Sequence, residues 1–103
     1  MKWLEIIHIR TTENKSELLT GELTSLLYSI REETDKFSIT LYRHSTFSAD
    51  LSLHLMHHSD LASQGKSKIG LRISSAVREF GLINHSVWVE ERTIGNKTLD
   101  DRR

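Results

Sequence analysis

Two stretches decide the architecture: KFSITLYRH at 36–44 and DLSLHLMHH at 50–58. In the first, Phe37, Ile39 and Leu41 alternate with Ser38, Thr40, Tyr42 and His44. In the second, Leu51, Leu53 and Leu55 alternate with Ser52, His54, Met56 and His58. Successive side chains of a strand point to opposite faces. Strict alternation on both sides of the short STFSAD link therefore describes an antiparallel hairpin with one apolar face. Keeping both apolar sets on that face requires paired positions to sum to an even number. A three-residue loop sets His54 opposite Thr40, and a five-residue loop sets it opposite Tyr42, with His44 and His54 then diagonal neighbours. A one-residue slip would turn the leucines to water.

Working outward, KWLEIIHIRT at 2–11 is rich in β-branched and aromatic types and reads as a first strand. Its faces stay open, because Ile6 and Ile7 pull in opposite directions. In 12–33, Leu19, Leu23, Leu26, Leu27 and Ile30 fall at helical spacing, and Asn14 followed by Glu17 resembles a capping box. Gly21 inside this helix costs about 1 kcal/mol against alanine. SDLASQGKS at 59–67 is a polar connector. A second helix runs from about Ser67 with Ile69, Ile73, Ala76, Val77 and Phe80 on one stripe, and Gly81 supplies an expected C-cap. LINHSVWVEER reads as a last strand, and IGNKTLDDRR at 94–103 as a polar tail.

Strand, helix, hairpin, helix, strand is the β-α-β-β-α-β order of an α+β, ferredoxin-like fold. Right-handed crossovers place both helices on one face of a four-stranded antiparallel sheet. Ile39, Leu41, Leu51, Leu53, Leu55, Val87 and Val89 supply the apolar face beneath them. The opposite face receives Tyr42, His44, His54, Met56, His58, Asn84, Ser86, Trp88 and Glu90. That face is too polar for a core, yet it carries a tryptophan, a tyrosine and a methionine. Covering it with a second copy gives a two-fold homodimer with a closed interior. The expected organisation is one domain over 1–93 and a tail over 94–103.

Composition narrows the function classes. The chain has 103 residues, enough for one core. Fourteen basic and fourteen acidic residues cancel, without the basic excess that a nucleic-acid binder uses against phosphates. The third strand offers His and Met where an RNA-recognition sheet needs stacking aromatics. No apolar run is long enough to span a bilayer. The N-terminal apolar residues are interrupted by Glu5 and His8 without a small-residue cleavage site, so they read as a strand and not a signal peptide. Cysteine is absent, which excludes disulfides and thiolate chemistry. The expected location is the cytoplasm, with no nucleic-acid or membrane partner and no cofactor.

The stretches LSLHLMHHSD at 51–60 and FGLINHSVWVE at 80–90, set in this element order, resemble the dimeric α+β barrel superfamily, in particular its antibiotic biosynthesis monooxygenase-like branch. The resemblance spans residues 2–92 and rests on element order and face pattern. It implies a homodimer through the helix-free sheet face. It also implies either no assigned activity or cofactor-independent oxygenation of a small apolar or aromatic molecule. The haem-degrading branch is similar in fold but uses an Asn on the first strand, a Trp on the third and a His on the second helix. Here the first strand offers His8, the third His54 and Met56, and the second helix no histidine, so no haem role carries over.

Six histidines invite a metal site. On a strand, His54 and His58 share a face about 13 Å apart, at roughly 3.3 Å per residue. One zinc ion with bonds of about 2.0–2.1 Å cannot take both, and His57 points to the other face. No intrachain metal site is expected. Tyr42, His44, His54 and Trp88 are the candidate lining of a ligand cavity, with His54 the best candidate for acid–base work; the same residues could form only the polar part of a dimer interface. QGKS at 64–67 echoes the end of a phosphate loop, but Asp60 stands where the first glycine belongs. Lys66 and Lys68 at a helix N-terminus leave an anion site as a further option. The serines show no triad partner and no nucleophile elbow.

Overall fold

The computed structural model describes residues 2–33, 37–58 and 65–95. It contains β1 (Trp3–Arg10), α1 (Glu13–Glu33), β2 (Phe37–Arg43), β3 (Asp50–His57), α2 (Lys68–Val77) with a 3-10 turn at Arg78–Phe80, and β4 (Leu82–Val89). The expected element order is thus observed. Most of the connector at 59–67 and of the tail at 94–103 lies outside the described residues.

The four strands form one antiparallel sheet in the order β2-β3-β1-β4. The first strand lies in the centre, beside both the third and the fourth. The β2–β3 register sets His54 opposite Thr40 and Leu41 opposite Leu53. This is the shorter-loop alternative, so His44 lies toward Asp50, whose carbonyl accepts its amide hydrogen at 2.9 Å, and not beside His54. The leucines of β3 are fully buried with Ile7, Ile9, Leu19, Leu23, Ile30, Ile73 and Val77. The open question about β1 is resolved: Trp3, Glu5, Ile7 and Ile9 face the helices, and Leu4, Ile6 and His8 face away.

One helix-end expectation is corrected. Helix α1 begins at Glu13, so Asn14 sits within its first turn and is not the cap. The chain leaves β1 abruptly: the Thr11 amide bonds Ala49 O at 2.9 Å and its hydroxyl bonds Phe80 O at 2.6 Å, which leaves Thr12 alone to turn into the helix. Gly81 is the C-cap as expected, closing the 3-10 turn after α2 in an extended conformation with φ 167°. A glycine is needed there for space, because a Cβ would collide with the Arg10 carbonyl oxygen and come within 3.0 Å of Thr11 Cα. Ser67 caps α2 as expected, its hydroxyl accepting the Gly70 amide hydrogen at 2.9 Å.

The contrast between two glycines tests this packing. Gly70 faces the sheet, where a Cβ would collide with the Glu5 carboxylate and lie 2.9 Å from His85 Cε1, whereas nothing lies within 4 Å of a Cβ at Gly21. Denaturant unfolding should show Gly70→Ala losing about 1–3 kcal/mol to overpacking. Gly21→Ala should gain about 0.5–1 kcal/mol from helix propensity. Equal effects at the two sites would contradict the packing described.

Candidate functional site

The chain's most concentrated polar arrangement lies on the face the sequence assigns to the core. Glu5 of β1 is fully buried. Its Oε1 accepts from His57 Nε2 of β3 at 2.7 Å, and its Oε2 accepts from His85 Nε2 of β4 at 2.7 Å. The Ser67 amide, at the start of α2, donates to Oε2 at 3.1 Å. An ionised carboxylate only accepts, so both rings carry their proton on Nε2. His85 Nδ1 lies 3.1 Å from the Ser74 hydroxyl oxygen. Trp3 stacks on His57 with ring centres 3.9 Å apart and planes 12° apart, and Phe37 approaches the same ring at 5.1 Å.

Burial alone would push the Glu5 carboxyl up. The hydrogen bonds from the Ser67 hydroxyl, His85, the Ser67 amide and His57 outweigh it and hold the pKa below the ordinary 4.5. The N-terminus of α2, weighed above as an anion site through Lys66 and Lys68, therefore already has an anion. That anion is the protein's own Glu5, bound to the helix-end amide of Ser67 and favoured by the helix dipole.

Ser74, His85 and Glu5 stand in the hydroxyl–imidazole–carboxylate order of a nucleophilic relay, a partner set that the sequence reading missed. The Ser74 residue is only 5% exposed. Its hydroxyl belongs to a buried network. Among the described residues no group of three potential ligands converges on a metal position, since the two histidines take different oxygens of Glu5.

The sequence-derived candidates lie on the opposite, helix-free face, and they separate. Tyr42 and His54 meet, with ring centres 4.6 Å apart, and His54 Nε2 lies 3.1 Å from Ser52 Oγ. Trp88 occupies the neighbouring cross-strand row, opposite Leu4 and two strands from His54, with its indole donating to Ser86 Oγ at 2.9 Å. His44 leaves the face for the hairpin turn, where Nδ1 accepts the amide hydrogens of Thr46 and Phe47 at 3.0 Å each. Its ring stabilises the turn in the manner of an Asx side chain.

A third feature is a pocket of about 550 Å³ between the C-terminal half of α1 and the helix-facing side of β2. Leu27 and Ile30 form one wall and Phe37, Ile39 and Leu41 the other, with Tyr28 and Arg31 also lining it. Its size falls within the range of about 300–1,000 Å³ common for ligand sites. None of Tyr42, His44, His54 and Trp88 lines it.

No family model and no curated protein matches the chain. Solved structures do. The Mycobacterium tuberculosis protein Rv0793 superposes with a TM-score of 0.67 at 18% identity, over 92% of this chain and 100% of that one. A candidate antibiotic biosynthesis monooxygenase from Nitrosomonas europaea gives 0.63 at 10% identity, over 91% and 94%. SnoaB, a cofactor-independent oxygenase from Streptomyces nogalater, gives 0.61 at 11% identity in a variant form, over 92% and 98%. The chain shares the ferredoxin-like α+β fold of these proteins. At these identities the likeness is one of fold, and within such a fold function resides in the particular side chains.

The buried cluster makes a pH prediction. The Glu5 pKa is lower in the folded chain than in the unfolded one. Its ionised form therefore stabilises the fold above the unfolded value near 4.5, and that stabilisation is lost as pH falls through the lower folded value. Urea unfolding at stepped pH should show wild type losing stability steeply in this acid range and Glu5→Gln losing less. Glu5→Ala, which leaves two buried imidazole N–H donors without an acceptor, should cost about 1–3 kcal/mol for each at neutral pH. Parallel pH profiles for wild type and Glu5→Gln would refute the assignment.

Proposed function

We propose that the chain works as a homodimer that covers its helix-free sheet face with a second copy, and that it holds a small apolar or aromatic molecule. The carrying observation is the composition of that face. Tyr42 and Trp88 are 51% and 58% exposed, and Leu4, Ile6 and Met56 lie half-buried between them. The three central cross-strand rows of the face, from Ser38 to Trp88, from Thr40 to Ser86 and from Tyr42 to Asn84, contain no Lys, Arg, Asp or Glu. A two-fold contact sets each face against its own copy, so a charged face would repel itself and this one does not. In this reading Tyr42, His54 and Trp88 line the space between the two sheets, and His44 belongs to the hairpin turn. Residues 1–93 are the folded unit and 94–103 a polar tail. A cytoplasmic place is supported by the absence of cysteine. It is compatible with the finding that no described helix is long and apolar enough to cross a membrane.

The ligand has its natural place in the pocket between α1 and β2, the apolar cavity of appropriate size. A second reading, cofactor-independent oxygenation, is supported by the Tyr42–His54 ring pair. It puts an imidazole able to move protons near neutral pH inside the space the dimer would enclose.

Native mass spectrometry of wild type should give the mass of two chains. Ile6→Glu, which sets two like charges against each other at the centre of the face, should give one chain with an unchanged circular dichroism spectrum. A wild-type monomer would sink the dimer. His54→Ala separates the two readings. Loss of turnover with the dimer intact supports an enzyme, whereas weaker dimerisation and no other specific loss supports an interface.

A further inference from the structure

We infer that the pocket between α1 and β2 selects apolar molecules that end in an acidic group, with Arg31 as the residue that recognises the anion. The inference rests on the pocket reading above and adds the ligand's charge. Two observations carry it together. The walls are aliphatic and aromatic over Leu27, Ile30, Phe37, Ile39 and Leu41, so the body of an occupant is apolar. The cation lining this cavity is Arg31, and among the described residues its side chain has no hydrogen-bond or ion-pair partner. The carboxylates that are paired elsewhere, Glu5 and Asp50, have partners of their own: Asp50 takes Arg10 at 3.1 Å.

The geometry of α1 supports the assignment. Tyr28 and Arg31 are three residues apart and so lie on the same side of the helix. Both line the pocket and both are exposed, the tyrosine at 64%. A phenol hydroxyl and a planar guanidinium at the edge of an apolar slot suit a carboxylate, which Arg can grip with two parallel hydrogen bonds. Long aliphatic or fused aromatic acids have this chemistry. Arg31 also sits in the last turn of α1, where a cation complements the helix dipole. A purely helix-stabilising role would lower stability on substitution without touching ligand preference, so the two roles separate in a binding experiment.

The experiment compares two fluorescent probes that share one ring system: 1-anilinonaphthalene-8-sulfonate, which is an anion, and N-phenyl-1-naphthylamine, which is neutral. Both are titrated into the full-length wild type and into Arg31→Gln. Wild type should bind both. Arg31→Gln should bind the anionic probe about five- to tenfold more weakly, the loss of one charge-assisted contact, and the neutral probe unchanged. Ile39→Trp, which fills the slot, should lose both probes; Leu27→Trp serves the same purpose if that variant fails to fold. Equal effects of Arg31→Gln on the two probes, or no effect on either, would overturn the charge selection while leaving the pocket reading intact. Failure of wild type to bind the neutral probe, or its binding undiminished in the slot-filled variants, would overturn the pocket reading and this inference with it.

Discussion

A carboxylate with no solvent exposure sets the terms for the rest of this fold. Removing an ionised group from water is tolerable only if its oxygens are fully hydrogen-bonded and an opposite or polarisable partner is close. Glu5 meets the requirement by drawing on three other elements at once: His57 from β3, His85 from β4 and the first amide of α2. The two imidazoles tie the central strand to both of its neighbours above the backbone ladder. The amide of Ser67 fixes where α2 begins on the sheet, and Gly70 gives that helix the clearance to approach. A cluster of polar groups is thereby held in the interior, against the ordinary distribution of polar residues.

The same arrangement leaves the other half of the sheet lightly covered. Strand β2 is an edge strand, and its helix-facing residues Phe37, Ile39 and Leu41 are only partly buried. The gap between them and α1 is the pocket. Phe37 belongs to both regions, lining the pocket and leaning on the His57 ring. A ligand that displaces Phe37 would press on an imidazole already held between Trp3 and Glu5, so the cavity and the buried cluster are mechanically adjacent although they share no polar contact.

Most of the architecture was legible because it follows from periodicity. The alternation over 37–44 and 51–58 gave the hairpin and its faces, the 3.6-residue stripes gave both helices, and the element order gave the topology. The register could not be chosen from sequence, since both loop lengths keep the leucines inside; the capture of Thr46 and Phe47 amides by His44 goes with the tighter one. The buried cluster was missed because His57, put on the apolar side, was weighed only as a metal ligand, and Glu5 and His85 were given no face. Position would have found them. Glu5 has the parity of Trp3, Ile7 and Ile9, His57 that of Leu51, Leu53 and Leu55, and His85 that of Ile83 and Val87. Three polar exceptions on apolar parity, in strands that prove to be neighbours, are a signal that they satisfy one another. The adjacency of Ile6 and Ile7 hid it by leaving the faces of β1 undetermined.

Gly70 bears on how such a chain can diverge. With no room for a Cβ beside the Glu5 carboxylate, position 70 is closed to every other side chain while Glu5, His57 and His85 remain. Single substitutions within the set each strand a buried charge or force a collision. The set is therefore expected to be inherited or discarded whole, most readily in favour of apolar residues of similar volume. Among proteins too distant for their sequences to align convincingly, a glycine one turn into the second helix, found together with a glutamate in the first strand, would mark the lineage that keeps this interior.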